Sequence, residues 1–213
     1  MRVVMMGPQG CGKGTQGKLL AEALGVPIFG MGDIFRRAAA EPGELGQEIG
    51  AYVRRGELVP DKYVIEAIVR ALHSNEASQG FVLDGYPRRE NQVDELEQIL
   101  GDKALDKVVL LEVPLEEAMR RVRARLTCSN SQCGEIFSRD NGVSNGDPCP
   151  RCNAPVATRE DDNENTLMKR YDTYERETMA AINLYAERGL LVPIDGTKDR
   201  ESVHKKILSA LYE

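Results

Sequence analysis

Near the start of the chain stands "GPQGCGKGT", with Gly7, Gly10, Gly12 and Gly14 around Lys13. Glycines at this spacing let the backbone curl until its N–H groups face inward and form a nest for an anion. The lysine adds a full positive charge, and a helix that follows adds the positive end of its dipole. The chemistry implied is phosphate binding. One detail sets this loop apart from the common pattern, in which a hydroxyl directly follows the lysine. Here Gly14 takes that place and Thr15 carries the hydroxyl one position late. Successive helical positions differ by about 100°, so Thr15 points away from the usual metal-ligating position. A phosphate-bound magnesium is then held by phosphates and waters, with Asp84 at the end of an apolar run as the natural anchor for those waters.

A second set of reactive side chains is a cysteine cluster. Cys128 and Cys133 are separated by four residues, and Cys149 and Cys152 by two, with fifteen residues between the pairs. Two such pairs read as a four-thiolate metal site. Zinc is the expected ion; iron is the alternative, and two disulfides are the poorer third. Four protein ligands leave no open position, so the metal is expected to be structural. Cys11 lies apart in the phosphate loop, where it reads as a small buried residue.

Four apolar runs read as buried strands: 2–6, 81–84, 107–113 and 189–195, with a weaker one at 26–29. Helical patterns lie between them. One follows the phosphate loop through Leu19, Leu20, Ala23 and Leu24. The next carries Val64, Ile65, Ile68, Val69 and Leu72 behind Asp61 as a proposed N-cap, and another Leu115, Ala118, Met119, Val122 and Leu126. A long one runs from Asp162 to Glu187, and a last one carries Val203, Ile207 and Leu211. Alternation of this kind predicts an α/β fold with a parallel sheet covered on both faces and ligands beyond the carboxyl ends of its strands. Residues 127–160 break the pattern. They hold few large apolar side chains, so something other than a core of their own must organise them.

The 213 residues are 41% hydrophobic and 29% charged, an ordinary globular balance. With 28 Lys and Arg against 34 Asp and Glu, the net charge of -6 argues against nucleic-acid or membrane-surface binding. The opening apolar run is too short for a secretory signal, and no stretch reaches the roughly 20 apolar residues of a membrane span. The expectation is a cytoplasmic protein and, with no long exposed apolar stripe, a monomer.

"GPQGCGKGT" together with "LDGYPRRENQ" (83–92) resembles the adenylate kinase family of nucleoside monophosphate kinases. "GDIFR" (32–36), "RVRAR" (121–125), "TREDDNENTLMKRY" (158–171) and "DGT" (195–197) follow in family order, and the late hydroxyl of Gly-Lys-Gly-Thr is a hallmark of these kinases. The resemblance implies a P-loop kinase fold with a five-stranded parallel sheet. Its core would comprise 1–126 and 160–213, with a helical acceptor-binding insertion at 30–60 and a metal-binding lid at 127–159. It implies Mg²⁺-dependent phosphoryl transfer, ATP + AMP = 2 ADP, with a structural Zn²⁺ in the lid.

The same resemblance implies residue roles. Gly10, Cys11, Gly12, Lys13, Gly14 and Thr15 would cradle the ATP phosphates. Arg121, stacking on the donor adenine, would hold the rest of ATP with Arg125, Thr197 and Lys198. On the AMP side stand Met31, Arg36, Glu57, Val59, Gly85, Arg88, Gln92, Arg159 and Arg170. Arg36 and Arg88 would grip the acceptor phosphate, and Gln92 would read the base edge. Lys13, Arg88, Arg125, Arg159 and Arg170 would act in catalysis. Asp161 and Asp162 would steady the lid arginines, while Arg120 and Arg123 read as solvated helix-face residues. Two positions depart from the family pattern: Met31 stands for a threonine and Glu57 for a frequent lysine. They leave UMP, CMP and GMP open as alternative acceptors.

Overall fold

The computed structural model describes residues 1–102, 104–130 and 132–212. Strands β1 (Arg2–Met6), β2 (Ile28–Gly30), β3 (Phe81–Asp84), β4 (Lys107–Glu112) and β8 (Leu191–Asp195) form one parallel sheet in the order β2-β3-β1-β4-β8. β1 pairs with β3 on one side and β4 on the other, so the chain reverses direction across the sheet there. Clefts beyond the carboxyl ends of strands open at such a reversal.

The alternation of side chains along β1 divides the core into two layers. Val4 and Met6 face one layer with Leu83, Val108 and Leu110. Helices α4 (Asp61–Leu72), α5 (Glu90–Leu100) and α8 (Met179–Glu187) cover it through Ile68, Val93, Leu96, Ile182 and Tyr185. Val3 and Met5 face the other layer with Val82, Val109 and Leu111, closed by α1 (Lys13–Leu24) and α9 (Arg200–Leu211) through Leu20, Val203 and Ile207. Burial on both faces is why these strands are continuously apolar rather than alternating.

Two further helices, α2 (Met31–Ala40) and α3 (Glu44–Arg55), pack on each other between β2 and α4. After α6 (Leu115–Ala124) the chain passes directly into β5 (Arg125–Cys128) of a second, antiparallel sheet, ordered β6-β5-β7 with β6 (Ile136–Ser138) and β7 (Val156–Ala157). α7 (Glu164–Thr173) returns the chain, and a π-helical turn at Tyr174–Thr178 leads into α8.

Several sequence expectations are corrected. Asp61 is not the N-cap of α4: Pro60 holds that place, and the half-buried Asp61 carboxylate turns to Arg89 and Gln92. The long helix starts at Glu164, capped by the Asn163 side chain on Thr166 N–H, and the π turn interrupts it. The weak strand lies at Ile28–Gly30 rather than 26–29, the third ends at Glu112, and the last begins at Leu191. Residues 127–160 do contain a core, though a small one: Cys128, Cys149 and Val156 are buried with Leu126, and Phe137 and Val143 pack against them.

Candidate active site

A cleft of about 690 Å³ opens at the carboxyl ends of β1 and β3. The phosphate loop forms its floor. Gly7, Gly10 and Gly12 take φ of 136°, 89° and 103°, values that side-chain-bearing residues rarely adopt. A Cβ on Gly10 would lie 2.3 Å from the Ala118 carbonyl oxygen of α6, so the loop rests on that helix. Lys13 Nζ donates to the carbonyls of Gly7 at 2.6 Å and Pro8 at 2.8 Å, which holds the ammonium beside the nest. Thr15 lines the cleft. Cys11, buried against Gly7, has its Sγ 3.7 Å from Lys13 Nζ.

Asp84, at the end of β3, lies beside the start of α1, where a Gly14 Cβ would stand 3.5 Å from its Oδ2. Burial pushes the Asp84 carboxyl up, against the pull of Lys13 and Arg88. A carboxylate at this place suits the waters of a nucleotide-bound Mg²⁺, as an oxygen acceptor beside the phosphate nest.

Five arginines, from α2, β5, α7 and two loops, converge on the cleft. Arg88, on the loop after β3, donates through Nε to the Gly85 carbonyl at 3.0 Å; burial and Arg170 draw its pKa down. Arg159 donates through Nε to Thr127 Oγ1 at 2.9 Å, and burial with the nearby Arg125 and Arg36 lowers it to about 10. Arg125 grips Asp162 with two nitrogens, at 2.8 and 2.5 Å. Arg170 holds Asp161 at 2.6 Å. With its amide oxygen turned toward them, Gln9 accepts from Arg125 at 2.9 Å and Arg170 at 3.2 Å. Arg36 pairs with Asp33, whose carboxyl is raised by burial and, on balance, held low by Arg36. Buried guanidiniums that depress one another's proton affinity make a site short of negative charge.

At one end of the cleft Arg121 donates to the Gly196 carbonyl at 2.9 Å and the Thr197 carbonyl at 3.3 Å, with Glu117 bracing it at 2.7 Å. Lys198 lines this end too. Ile136, Phe137 and Val143 of the second sheet face the same space. At the other end Met31, Phe35, Val59 and Val64 form an apolar slot beside Gly85 and Gln92, with Glu57 at its rim. The Gln92 amide is already engaged: Oε1 accepts from the Arg88 N–H at 2.8 Å, and Nε2 donates to Asp61 Oδ1 at 2.7 Å. Arg120 and Arg123 stay on the solvated face, paired with Glu117 and Asp140 and with Glu164.

The expected site residues line this one cleft except the four clustered cysteines, the Asp161–Asp162 pair, which reaches it through its arginines, and Thr197, which meets it through its carbonyl on Arg121. Gln9, Asp33, Asp61 and Thr127 were missed. Gln9, Asp61 and Thr127 touch an arginine or an amide distant in sequence, so spacing alone gives no signal, whereas Asp33 meets Arg36 at i,i+3, a spacing the sequence does display.

In the second sheet the Sγ atoms of Cys128, Cys133, Cys149 and Cys152 all lie within 4.8 Å of one another. Cys128 and Cys152 approach to 3.3 Å, and Cys133 and Cys149 to 3.8 Å. A tetrahedron of sulfurs at zinc–sulfur distance has edges of about 3.8 Å. Backbone N–H groups of Asn130, Glu135 and Ala154 bond to the sulfurs of Cys128, Cys133 and Cys152; they help draw the Cys152 thiol down to about 7, while burial and the neighbouring sulfurs push Cys128 up. The cluster suits a metal of tetrahedral preference.

A glycine loop at the turn from strand to helix, a doubly covered parallel sheet and a ring of arginines define a P-loop phosphotransferase. The chain matches the adenylate kinase family over residues 5–190. It is 40% identical to an adenylate kinase of Syntrophotalea carbinolica, covering 99% of this chain and 98% of that one. At the same coverage of both chains it is 41% identical to one of Methanosarcina mazei and 38% identical to one of Archaeoglobus fulgidus. The chain belongs to the adenylate kinase family. Among the described residues no helix is long and apolar enough to cross a membrane.

Proposed function

We propose that the protein catalyses Mg²⁺-dependent, reversible phosphoryl transfer between ATP and AMP, yielding two ADP. The observation that carries this reading is a single cleft with an arginine ring between two nucleotide-sized ends. A ring of half-buried arginines, Arg36, Arg125 and Arg170 held by aspartates and Arg88 and Arg159 by neutral oxygens, accommodates the several charges of two phosphate chains.

Transfer of a phosphoryl group asks for alignment and for charge neutralisation rather than covalent help. Lys13 and the loop N–H groups hold the donor phosphates. Arg36 and Arg88 grip the acceptor phosphate, fork to oxygen pair. Arg125, Arg159 and Arg170 surround the group in flight, aimed by Asp162, Thr127 and Asp161. Magnesium, bound with the nucleotide, neutralises phosphate charge. Arg121 lies along the donor base, next to Thr197 and Lys198. The apolar slot with Gln92 takes the adenine of AMP.

The second sheet, residues 127–159, acts as a lid held together by Zn²⁺ at the four cysteines. Its Phe137 and Val143 exclude water that would otherwise accept the phosphoryl group. Residues 1–126 and 160–213 form the core and 30–60 the acceptor arm. Four unpaired metal-site thiols suit a reducing, cytoplasmic setting, and the enzyme acts as a monomer.

A coupled assay with MgATP and each of AMP, CMP, GMP and UMP tests the reading. ADP formation with AMP as the best acceptor is expected. No ADP from any acceptor overturns it.

A further inference from the structure

Gln92 sits 4% exposed at the wall of the apolar slot, and its amide is fixed at both ends. The Arg88 backbone N–H is only a donor, so it demands the amide oxygen at 2.8 Å. Asp61 Oδ1, a carboxylate oxygen, is only an acceptor, so it demands the amide nitrogen at 2.7 Å. Arg89 Nη1 holds the Asp61 carboxylate in place from the other side, at 3.1 and 3.2 Å, and Arg89 Nε is itself held by Glu177 at 2.5 Å. A Gln amide rotated by half a turn would set N–H against N–H and oxygen against carboxylate. It is therefore confined to one polarity. One Nε2 hydrogen and one Oε1 lone pair remain for a ligand.

We propose that Asp61 is a positioning residue for acceptor-base selection: by holding the Gln92 amide in one polarity, it makes the site accept 6-amino purines and refuse 6-oxo purines. This rests on the reading of the slot as the acceptor-base site. The Watson–Crick edge of adenine presents a donor, N6–H, beside an acceptor, N1. A 6-oxo purine presents the reverse, an acceptor O6 beside a donor N1–H. A freely turning glutamine amide matches either edge by flipping. A glutamine locked by Asp61 matches only one and leaves buried polar groups unpaired against the other, which is the strong form of discrimination.

Inosine monophosphate is the clean probe, because it differs from AMP only in carrying the 6-oxo group in place of the amine. In the unmodified protein kcat/KM for AMP should exceed that for IMP by about 1,000-fold or more. Asp61→Asn, whose amide can donate or accept, leaves the Arg88 N–H as the one remaining group that opposes a flip of Gln92, and should narrow the AMP/IMP ratio by about tenfold, mostly through a lower KM for IMP, with kcat for AMP within about threefold. Arg89→Gln removes the salt bridge but leaves the carboxylate on Gln92, so its AMP/IMP ratio should stay near that of the unmodified protein.

The proposal is overturned if Asp61→Asn, folded and active on AMP, keeps the original ratio. It is equally overturned if Arg89→Gln narrows the ratio as much as Asp61→Asn does, since loop placement rather than amide polarity would then decide. Comparable use of IMP and AMP by the unmodified protein overturns it without any variant. If no ADP forms from MgATP and AMP, the functional reading has failed separately. Equilibrium titration of AMP against IMP, which needs no turnover, still decides the polarity of the slot.

Discussion

Arg170 Nη2 and Asp161 Oδ2 meet at 2.6 Å, with the arginine side chain 15% exposed and the carboxylate side chain 5%. The pair joins α7 to the loop that brings the chain back from the second sheet. Burial alone would raise the Asp161 carboxyl; the Arg170 guanidinium overrides this and holds it below the usual carboxylate range.

That pair predicts a defined pH dependence of stability. The folded state favours ionised Asp161, so its contribution is whole above the unfolded carboxylate value of about 3.9. It is lost as pH falls through the lowered folded value. Asp161→Ala should cost about 3 kcal/mol at neutral pH by leaving Arg170 without its charged partner. Urea unfolding of both proteins from pH 7 to pH 3 should show the gap closing at the acid end. A gap that stays constant across that range contradicts the prediction.

Arg88 is half-buried in the cleft and tethered to the Gly85 carbonyl at 3.0 Å, and the proposed function sets it on the acceptor phosphate. Arg88→Ala should lower kcat by about 100-fold or more even at saturating ATP and AMP, because an oriented charge acts most strongly in the transition state. Steady-state kinetics with both substrates saturating check it. Near-normal turnover would remove Arg88 from the transfer step.

The small core around Leu126, Cys128, Cys149 and Val156 cannot hold three short strands by itself. One zinc per chain is expected on elemental analysis of protein purified without added metal. Chelation should melt the 127–159 region ahead of the sheet, visible as early loss of hydrogen-exchange protection there. Protein free of metal with unchanged thermal unfolding would show that the sulfurs stand together for another reason.

Met31 is 2% exposed and lines the slot where a family threonine would place a hydroxyl. Under the proposed function its thioether would pack on the acceptor base without hydrogen bonding to it. Met31→Thr should widen the preference for AMP over CMP and UMP in kcat/KM, with little change in kcat for AMP. Comparing all three acceptors in both proteins decides it, and a threonine variant that loses AMP selectivity refutes it.

The sheet was legible because its strands are buried on both faces, which leaves continuous runs such as Val3-Val4-Met5-Met6 between loop-forming residues. The phosphate loop was legible because its glycines obey a backbone requirement that sequence displays directly. Asp61 was misread because Asp after Pro at a helix start is the common capping pattern, while its actual partners, Arg89 and Gln92, are 28 and 31 residues away. The π turn at Tyr174–Thr178 left no mark in "YERET", since no proline or glycine is needed to widen a helix by one residue. The small core of the second sheet escaped notice because two of its four buried members are cysteines, counted as ligands and not as packing.

The seat of Gly10 on the Ala118 carbonyl has a mechanical consequence. α6 is clamped beneath the phosphate loop at Ala118 and passes without a break into β5 at Arg125. If the second sheet closes as the proposed function requires, α6 would act as the anchored end of a lever, with its fulcrum at Ala118 about two helical turns from Arg125. For any given angle of swing, Arg125 beside the fulcrum travels a short arc, and Phe137 farther out travels a long one. The arginine assigned to the phosphoryl group would thus stay almost in place, while the apolar cover would do the travelling.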